Sequence, residues 1–143
     1  MGERAPGAGK DLWGPPFEAE PVETVLVARL NEQVNALTQR TAGRVVGEVV
    51  VKTDPDQGTV WTALYARVPA LNDYKHKLIA IAHPVVIKDP SDPFPVDVFD
   101  PDGKQVIHGM ADYDGWLSRI LASPQIHAVI NSLLRYGDDR AAS

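Results

Sequence analysis

Between residues 21 and 40 apolar side chains return at every third or fourth position, at Val22, Leu26, Leu30, Val34 and Leu37, with Glu32, Asn35 and Gln39 opposite. This spacing matches the helical turn and predicts an amphipathic helix over 21–40. Pro21 suits its first position, Glu20 and Glu23 sit near the positive end of its dipole, and Gly43 provides a left-handed stop. The period then switches to two. Val45, Gly47, Val49 and Val51 share one side, and Val46, Glu48, Val50 and Lys52 the other. Asp54-Pro55-Asp56-Gln57-Gly58 is turn chemistry, and the alternation resumes with Val60, Thr62, Leu64, Ala66 and Val68 facing one way and Trp61, Ala63, Tyr65 and Arg67 the other. An antiparallel hairpin of 44–52 with 59–68 follows.

After a connection at 69–74, a third strand is expected around 77–82, resuming at 85–87, with Pro84 demanding an edge or a bulge. Residues 88–102 are punctuated by Pro90, Pro93, Pro95 and Pro101 and are expected to be extended. A second hairpin pairs 96–99 with 105–108 across Asp100-Pro101-Asp102-Gly103. Two helices close the chain. The first is expected to start at Asp112 or Asp114 as cap and to bury Trp116, Leu117, Ile120 and Leu121; the second restarts at Ser123-Pro124, carries the stripe Ile126, Val129, Ile130, Leu133 and Leu134, and stops at Gly137. The order α-β-β-β-β-β-α-α predicts an α+β fold: a four- to five-stranded, mainly antiparallel sheet with one N-terminal and two C-terminal helices packed on one face. The domain spans 21–137, between a Pro/Gly-rich tail at 1–20 and a short tail at 138–143.

Composition narrows the class. The chain has 143 residues, 44% hydrophobic and 23% charged, which fits one soluble-type globular domain. Having no cysteine, it lacks a disulfide framework, a thiol nucleophile and thiolate metal sites. Together with the lack of a signal-like segment or a long apolar run, this points to a cytoplasmic protein that does not engage a membrane. A net charge of −5 argues against nucleic acid as the partner.

Candidate chemistry is sparse. His76, His83, His108 and His127 share no metal-ligand spacing, and no Gly-x-Ser-x-Gly, Walker or Rossmann pattern occurs. No cofactor, metal or catalytic residue is implied, and the balance leans away from an enzyme. Seven aspartates lie between Lys88 and Asp114, against two lysines. Asp100-Pro101-Asp102-Gly103 resembles the start of a calcium loop, but Gly109 stands where the bidentate Glu belongs. As a group these acids would favour a basic partner and speed its encounter. Tyr74-Lys75-His76-Lys77 is the one basic knot; with Arg67 it offers a weak site for a phosphate or carboxylate, and strand-entry lysines that discourage edge pairing explain it as well.

The resulting expectation is a non-catalytic protein-binding domain of inhibitor, immunity or assembly-subunit type, with another protein, basic in character, as its partner. Its candidate contacts are Asp97, Asp100 and Asp102 for steering, Phe94 and Phe99 as anchors beside them, the aromatic side of the first hairpin (Trp61, Tyr65), and Trp13 and Phe17 of the tail. The two tail aromatics are expected either to dock on a partner or, as the preferred reading, to fold back onto their own domain. The alternative is a small enzyme or ligand-binding domain with a pocket between sheet and helices, lined by Trp61, Tyr65 and Tyr113, where His83 or His108 and an Asp form an acid-base pair. A cavity above ~300 Å³ in which a His and a carboxylate converge would favour that alternative. Homodimerisation through a strand edge or the flank 126–134 is compatible with both readings.

Overall fold

A computed structural model describes residues 11–17, 24–89 and 91–142. Its elements run α1 (Val25–Arg40), β1 (Val46–Asp54), β2 (Thr59–Val68), a single 3-10 turn (Pro69–Leu71), β3 (Tyr74–Pro84), β4 (Val96–Asp100), β5 (Gly103–Ile107), α2 (Met110–Leu121) and α3 (Pro124–Ala142). The five strands form one antiparallel sheet in the order β1-β2-β3-β4-β5, each pairing with its neighbour in sequence. The fold is therefore α+β, with one helix before the sheet and two after it.

α1 starts at Val25, where the Thr24 hydroxyl accepts the Val27 N–H at 3.5 Å. The expected start at Pro21, with Glu20, Val22 and Glu23, lies outside the described residues. The helix ends as its sequence implies: Ala42 and Gly43 turn left-handed at φ 53° and 78°, and the Gly43 N–H reaches the Thr38 carbonyl at 2.9 Å. Thr41 locks the exit, donating to the Val45 carbonyl at 2.8 Å while its oxygen accepts the Val45 N–H at 3.2 Å.

The register fixes which residues share a face. Gly47 pairs with Ala66, Val49 with Leu64 and Val51 with Thr62, which pairs in turn with Ile81 and then Val98. All three helices pack on this side. α1 crosses at Gly47, where an added Cβ would lie 2.8 Å from the Val34 Cα. α2 sends the Trp116 indole N–H to Asp100 at 2.8 Å, and α3 approaches β2 at Gly137, where a Cβ would lie 3.1 Å from Val68 Cγ1. The core between the two layers includes Leu26, Leu30, Leu64, Ile79, Ile81, Val98, Tyr113, Trp116 and Ile126.

Four expectations need correction. β3 is one unbroken strand from Tyr74 to Pro84, because β2 extends to Val68 and supplies partners for Tyr74, Lys75 and His76; Val85 and Val86 are exposed and outside it. A bulge at Leu64/Tyr65, rather than a break at Pro84, absorbs the irregularity. α2 begins at Met110 behind Gly109, so Asp112 lies in its first turn instead of capping it. α3 continues past Gly137 to Ala142, and that glycine serves close packing on Val68 rather than termination. Pro90 lies outside the described residues. The second hairpin and the Ser123 cap, whose hydroxyl accepts the Ile126 N–H at 3.3 Å, form as the sequence implies.

Candidate functional site

Strand alternation sends one residue in two away from the helices. On that side β1 places Glu48, Val50 and Lys52, and β2 places Trp61, Ala63, Tyr65 and Arg67. Lys75, Lys77, Ala80 and Ala82 of β3 stand beside them, followed by Asp97 and Phe99 of β4 and Lys104 and Val106 of β5. Trp61 and Phe99 belong to strands separated by β3, yet their ring centroids are 5.2 Å apart at an interplanar angle of 43°. They can meet because the intervening side chains are methyl groups. Ala63, Ala80 and Ala82 form a floor that the rings roof over, leaving these alanines buried on a face with no helix above it among the described residues. Trp61 keeps 37% of its surface exposed, and Val106, further across the same face on β5, 48%.

Charge on this face departs from the chain's net −5. Its cations are Lys52, Arg67, Lys75, Lys77 and Lys104; its acids are Glu48, Asp54 and Asp97. Lys75 Nζ lies 2.9 Å from Glu48 Oε2, Lys104 Nζ lies 3.8 Å from Asp97 Oδ2 and 5.7 Å above the Phe99 ring, and Arg67 reaches Asp73 in the neighbouring turn at 2.7 Å. Lys52 and Lys77 are exposed and make no ion pair among the described residues. The uncovered face is thus an aromatic and aliphatic strip flanked by available cations.

The remaining candidates are dispersed. Phe94 is partly buried on the core, 6.2 Å from the Tyr113 ring, so it packs internally. Asp97 shares the uncovered face with Phe99, but Asp100 turns to the helix side. There its Oδ1 accepts the Asp102 N–H and its Oδ2 the Trp116 indole N–H, both at 2.8 Å. Asp102 accepts from Gln125 at 3.2 Å. The acidic run is therefore divided between the two sides of the sheet. Earlier in that run Asp89 accepts from the Ser91 hydroxyl and backbone N–H, which hold its carboxyl below the usual range. Trp13 and Phe17 do not fold back over the sheet: their rings pack edge-on at 5.7 Å, and they stay 76% and 75% exposed.

Nor does a pocket form from the residues expected to line one. Trp61 and Tyr65 belong to the uncovered face. Tyr113 is fully buried and donates to the Leu26 carbonyl at 3.1 Å; burial pushes its phenol well above the ordinary tyrosine range. His83 is buried with Nδ1 2.9 Å from the Pro84 carbonyl oxygen, and His108 is exposed. A cleft of about 450 Å³ does lie between the helices, lined by residues that the sequence did not single out together: Arg29, Glu32, Arg40, Asp114, Ser118 and His127. Arg29 holds both carboxylates there, Asp114 at 3.2 Å and Glu32 at 3.6 Å, and His127 is hydrogen-bonded to neither. An adjoining groove of about 260 Å³ runs between α1 and α3 down to Leu64 and Leu78. No group of three or more His, Asp or Glu able to hold a metal occurs among the described residues, and no helix among them is long and apolar enough to cross a membrane.

The signal for the uncovered face was present as the alternation Trp61-x-x-x-Tyr65. Its cationic character was hidden, because Lys52, Lys77 and Lys104 are 25 or more positions apart and share a face only through the register. Comparison with known protein families, curated proteins and solved structures finds no match for this chain.

Proposed function

We propose that this chain is a non-catalytic protein-binding domain of the cytoplasm that docks a partner segment across the uncovered face of its sheet. The observation that carries the reading is the Trp61–Phe99 pair over an alanine floor on a side that no helix among the described residues packs against. Aromatic side chains that remain partly wet beside exposed aliphatics are the usual anchors of protein interfaces. The free ammonium groups of Lys52 and Lys77 favour an acidic apolar segment over the basic partner suggested by the aspartate run, since Asp100 and Asp102 are engaged inside their own domain.

The test is fluorescence anisotropy with three probes: an acidic peptide carrying two aromatic residues, its basic counterpart, and a single-stranded oligonucleotide. The acidic peptide is expected to bind, more weakly at high salt, and to lose affinity on Trp61→Ser or on Lys52→Glu with Lys77→Glu. Binding of the oligonucleotide alone would replace protein with nucleic acid as the partner, and silence from all three would remove the docking role. The reading from the other class, a small ligand-binding domain or enzyme, draws on the interhelical cleft, whose volume is sufficient and which is lined by His127 and by two carboxylates that Arg29 holds. Thermal-shift screening of small anions and metabolites tests it, with Arg29→Ala as the control.

A further inference from the structure

We infer that the segment this face accepts is the N-terminal tail of a second copy of the same chain, so that two copies exchange tails. The inference rests on the docking reading above and names its occupant. Residues 11–23 read Asp-Leu-Trp-Gly-Pro-Pro-Phe-Glu-Ala-Glu-Pro-Val-Glu, with three large apolar side chains near one end, four acids and no base. That composition complements the uncovered face in both respects: aromatic and aliphatic groups against Trp61, Phe99 and Val106, and carboxylates against Lys52 and Lys77.

Within its own chain the described part of the segment, residues 11–17, leaves its large apolar side chains exposed. Leu12, Trp13 and Phe17 are 85%, 76% and 75% exposed, and the two rings touch each other edge-on. The Trp13 N–H turns back to Asp11 Oδ1 at 3.0 Å, and Gly14 adopts φ 77°, so the backbone before Pro15-Pro16 bends to present both rings together. Consecutive prolines stiffen that presentation and lower the entropy lost on docking. A tail and a face on each copy give a two-fold exchange with two identical contacts, the arrangement that closes without forming a filament. A contact of this size is modest, so the pair is concentration- and salt-dependent rather than permanent.

The test uses the full chain in sedimentation velocity over a hundredfold concentration range, at low and at high salt. The expected result is a monomer–dimer equilibrium that weakens with salt. Trp13→Ala with Phe17→Ala (the tail variant) and Lys52→Glu with Lys77→Glu (the face variant) should each weaken self-association ~10-fold or more. Mixing the two restores one of the two contacts, because the intact face of one meets the intact tail of the other, so the mixture should associate more strongly than either variant alone and less strongly than wild type. Lys52→Gln with Lys77→Gln, a milder change at exposed positions, repeats the face arm should the reversal disturb folding as read by circular dichroism. A chain monomeric at every concentration overturns the inference, as does a dimer indifferent to both variants. Variants whose mixture associates no better than either variant alone overturn the exchange. A synthetic peptide of residues 11–23 separates this outcome from the parent reading. If it fails to bind while an unrelated acidic aromatic peptide binds, the tail is not the occupant and the docking face stands; if neither binds, both fall.

Discussion

Replacing Asp100 by alanine should unsettle the domain more than any other loss in the aspartate run, although its position in an acidic turn suggests a surface role. Its Oδ2 accepts the Trp116 indole N–H at 2.8 Å, and Trp116 is only 1% exposed. Removing the acceptor leaves a buried N–H without a partner, a loss of ~1–3 kcal/mol. The same carboxylate holds the Asp102 N–H of the β4–β5 turn at 2.8 Å, which adds ~0.5–1.5 kcal/mol. Asp100 is itself only half-buried, so water can reach part of the vacated space, and about 2–3 kcal/mol is the expected total. In a domain of this size each kcal/mol moves the midpoint by roughly 2–4 °C, so Asp100→Ala should melt about 4–12 °C below wild type. Asp100→Asn keeps an acceptor oxygen and should lose less than ~1 kcal/mol. Trp116→Phe removes the orphaned donor, so the double variant should fall short of additivity by ~1 kcal/mol. Asp97→Ala, which removes an exposed 3.8 Å contact with Lys104, should change stability by less than ~1 kcal/mol. Calorimetry and urea titration read all five variants. An Asp100→Ala melting point within a degree of wild type, or strict additivity with Trp116→Phe, would refute the assignment of Asp100 to the inside of the fold.

Three further outcomes follow from the packing. Gly47→Ala sets a methyl group 2.8 Å from the Val34 Cα, a backbone atom that yields only if α1 moves, so a loss of ~1–3 kcal/mol in urea unfolding is expected. Thr62 is 1% exposed and its hydroxyl has no partner among the described residues, so Thr62→Val should raise stability by about 1 kcal/mol; a destabilised variant would mean that the hydroxyl is satisfied after all. Tyr113 stays protonated in the folded state at a pH where the unfolded chain ionises, so the stability it adds holds below the ordinary tyrosine value near 10 and declines as pH rises above it. Tyr113→Phe should abolish up to ~1.4 kcal/mol per pH unit of that alkaline slope while losing the bond to Leu26, and an unchanged slope would contradict the burial argument.

The architecture was legible wherever a local period met a local stop. The stripe of α1 with Gly43, the alternation of the first hairpin around Gly58, and Ser123-Pro124 before α3 each carry their signal within a few residues. Where the reading failed, a tertiary partner overrode a local cue. Tyr74 looks like the end of a connection, and Lys75 and His76 like a basic knot ahead of the strand, until β2 offers all three a ladder, and Gly137 looks like a stop until Val68 explains why a side chain would crowd there. Site residues were legible in kind but not in company. Trp61 and Tyr65 share a face by parity, whereas the meeting of Trp61 with Phe99 depends on β3 lying between their strands and carrying alanine at both positions beneath them. Phe94, Asp100 and Asp102 were grouped with Phe99 by proximity in sequence, but β4 sends Asp100 to the side opposite Phe99, while Phe94 and Asp102 lie beyond its two ends.

The same geometry changes the meaning of the net charge. A total of −5 suggests an acidic surface seeking a basic partner, but a total carries no direction. Of the eight ionised residues that the register assigns to the uncovered face, five are cationic, so the remainder of the chain carries −7 against +2 on this side. Part of that excess acid lies in residues 11–23, close in sequence to the exposed side chains of Leu12, Trp13 and Phe17. A partner attracted to the average would be basic; a partner that fits the aromatic strip must be acidic where it touches. Screening separates charges more than about a Debye length apart, ~8 Å at physiological ionic strength, so the local sign governs contact and the average governs solubility. Reversing Lys52 and Lys77 makes the face agree in sign with the rest of the chain, and for that reason it is the most informative perturbation of the surface.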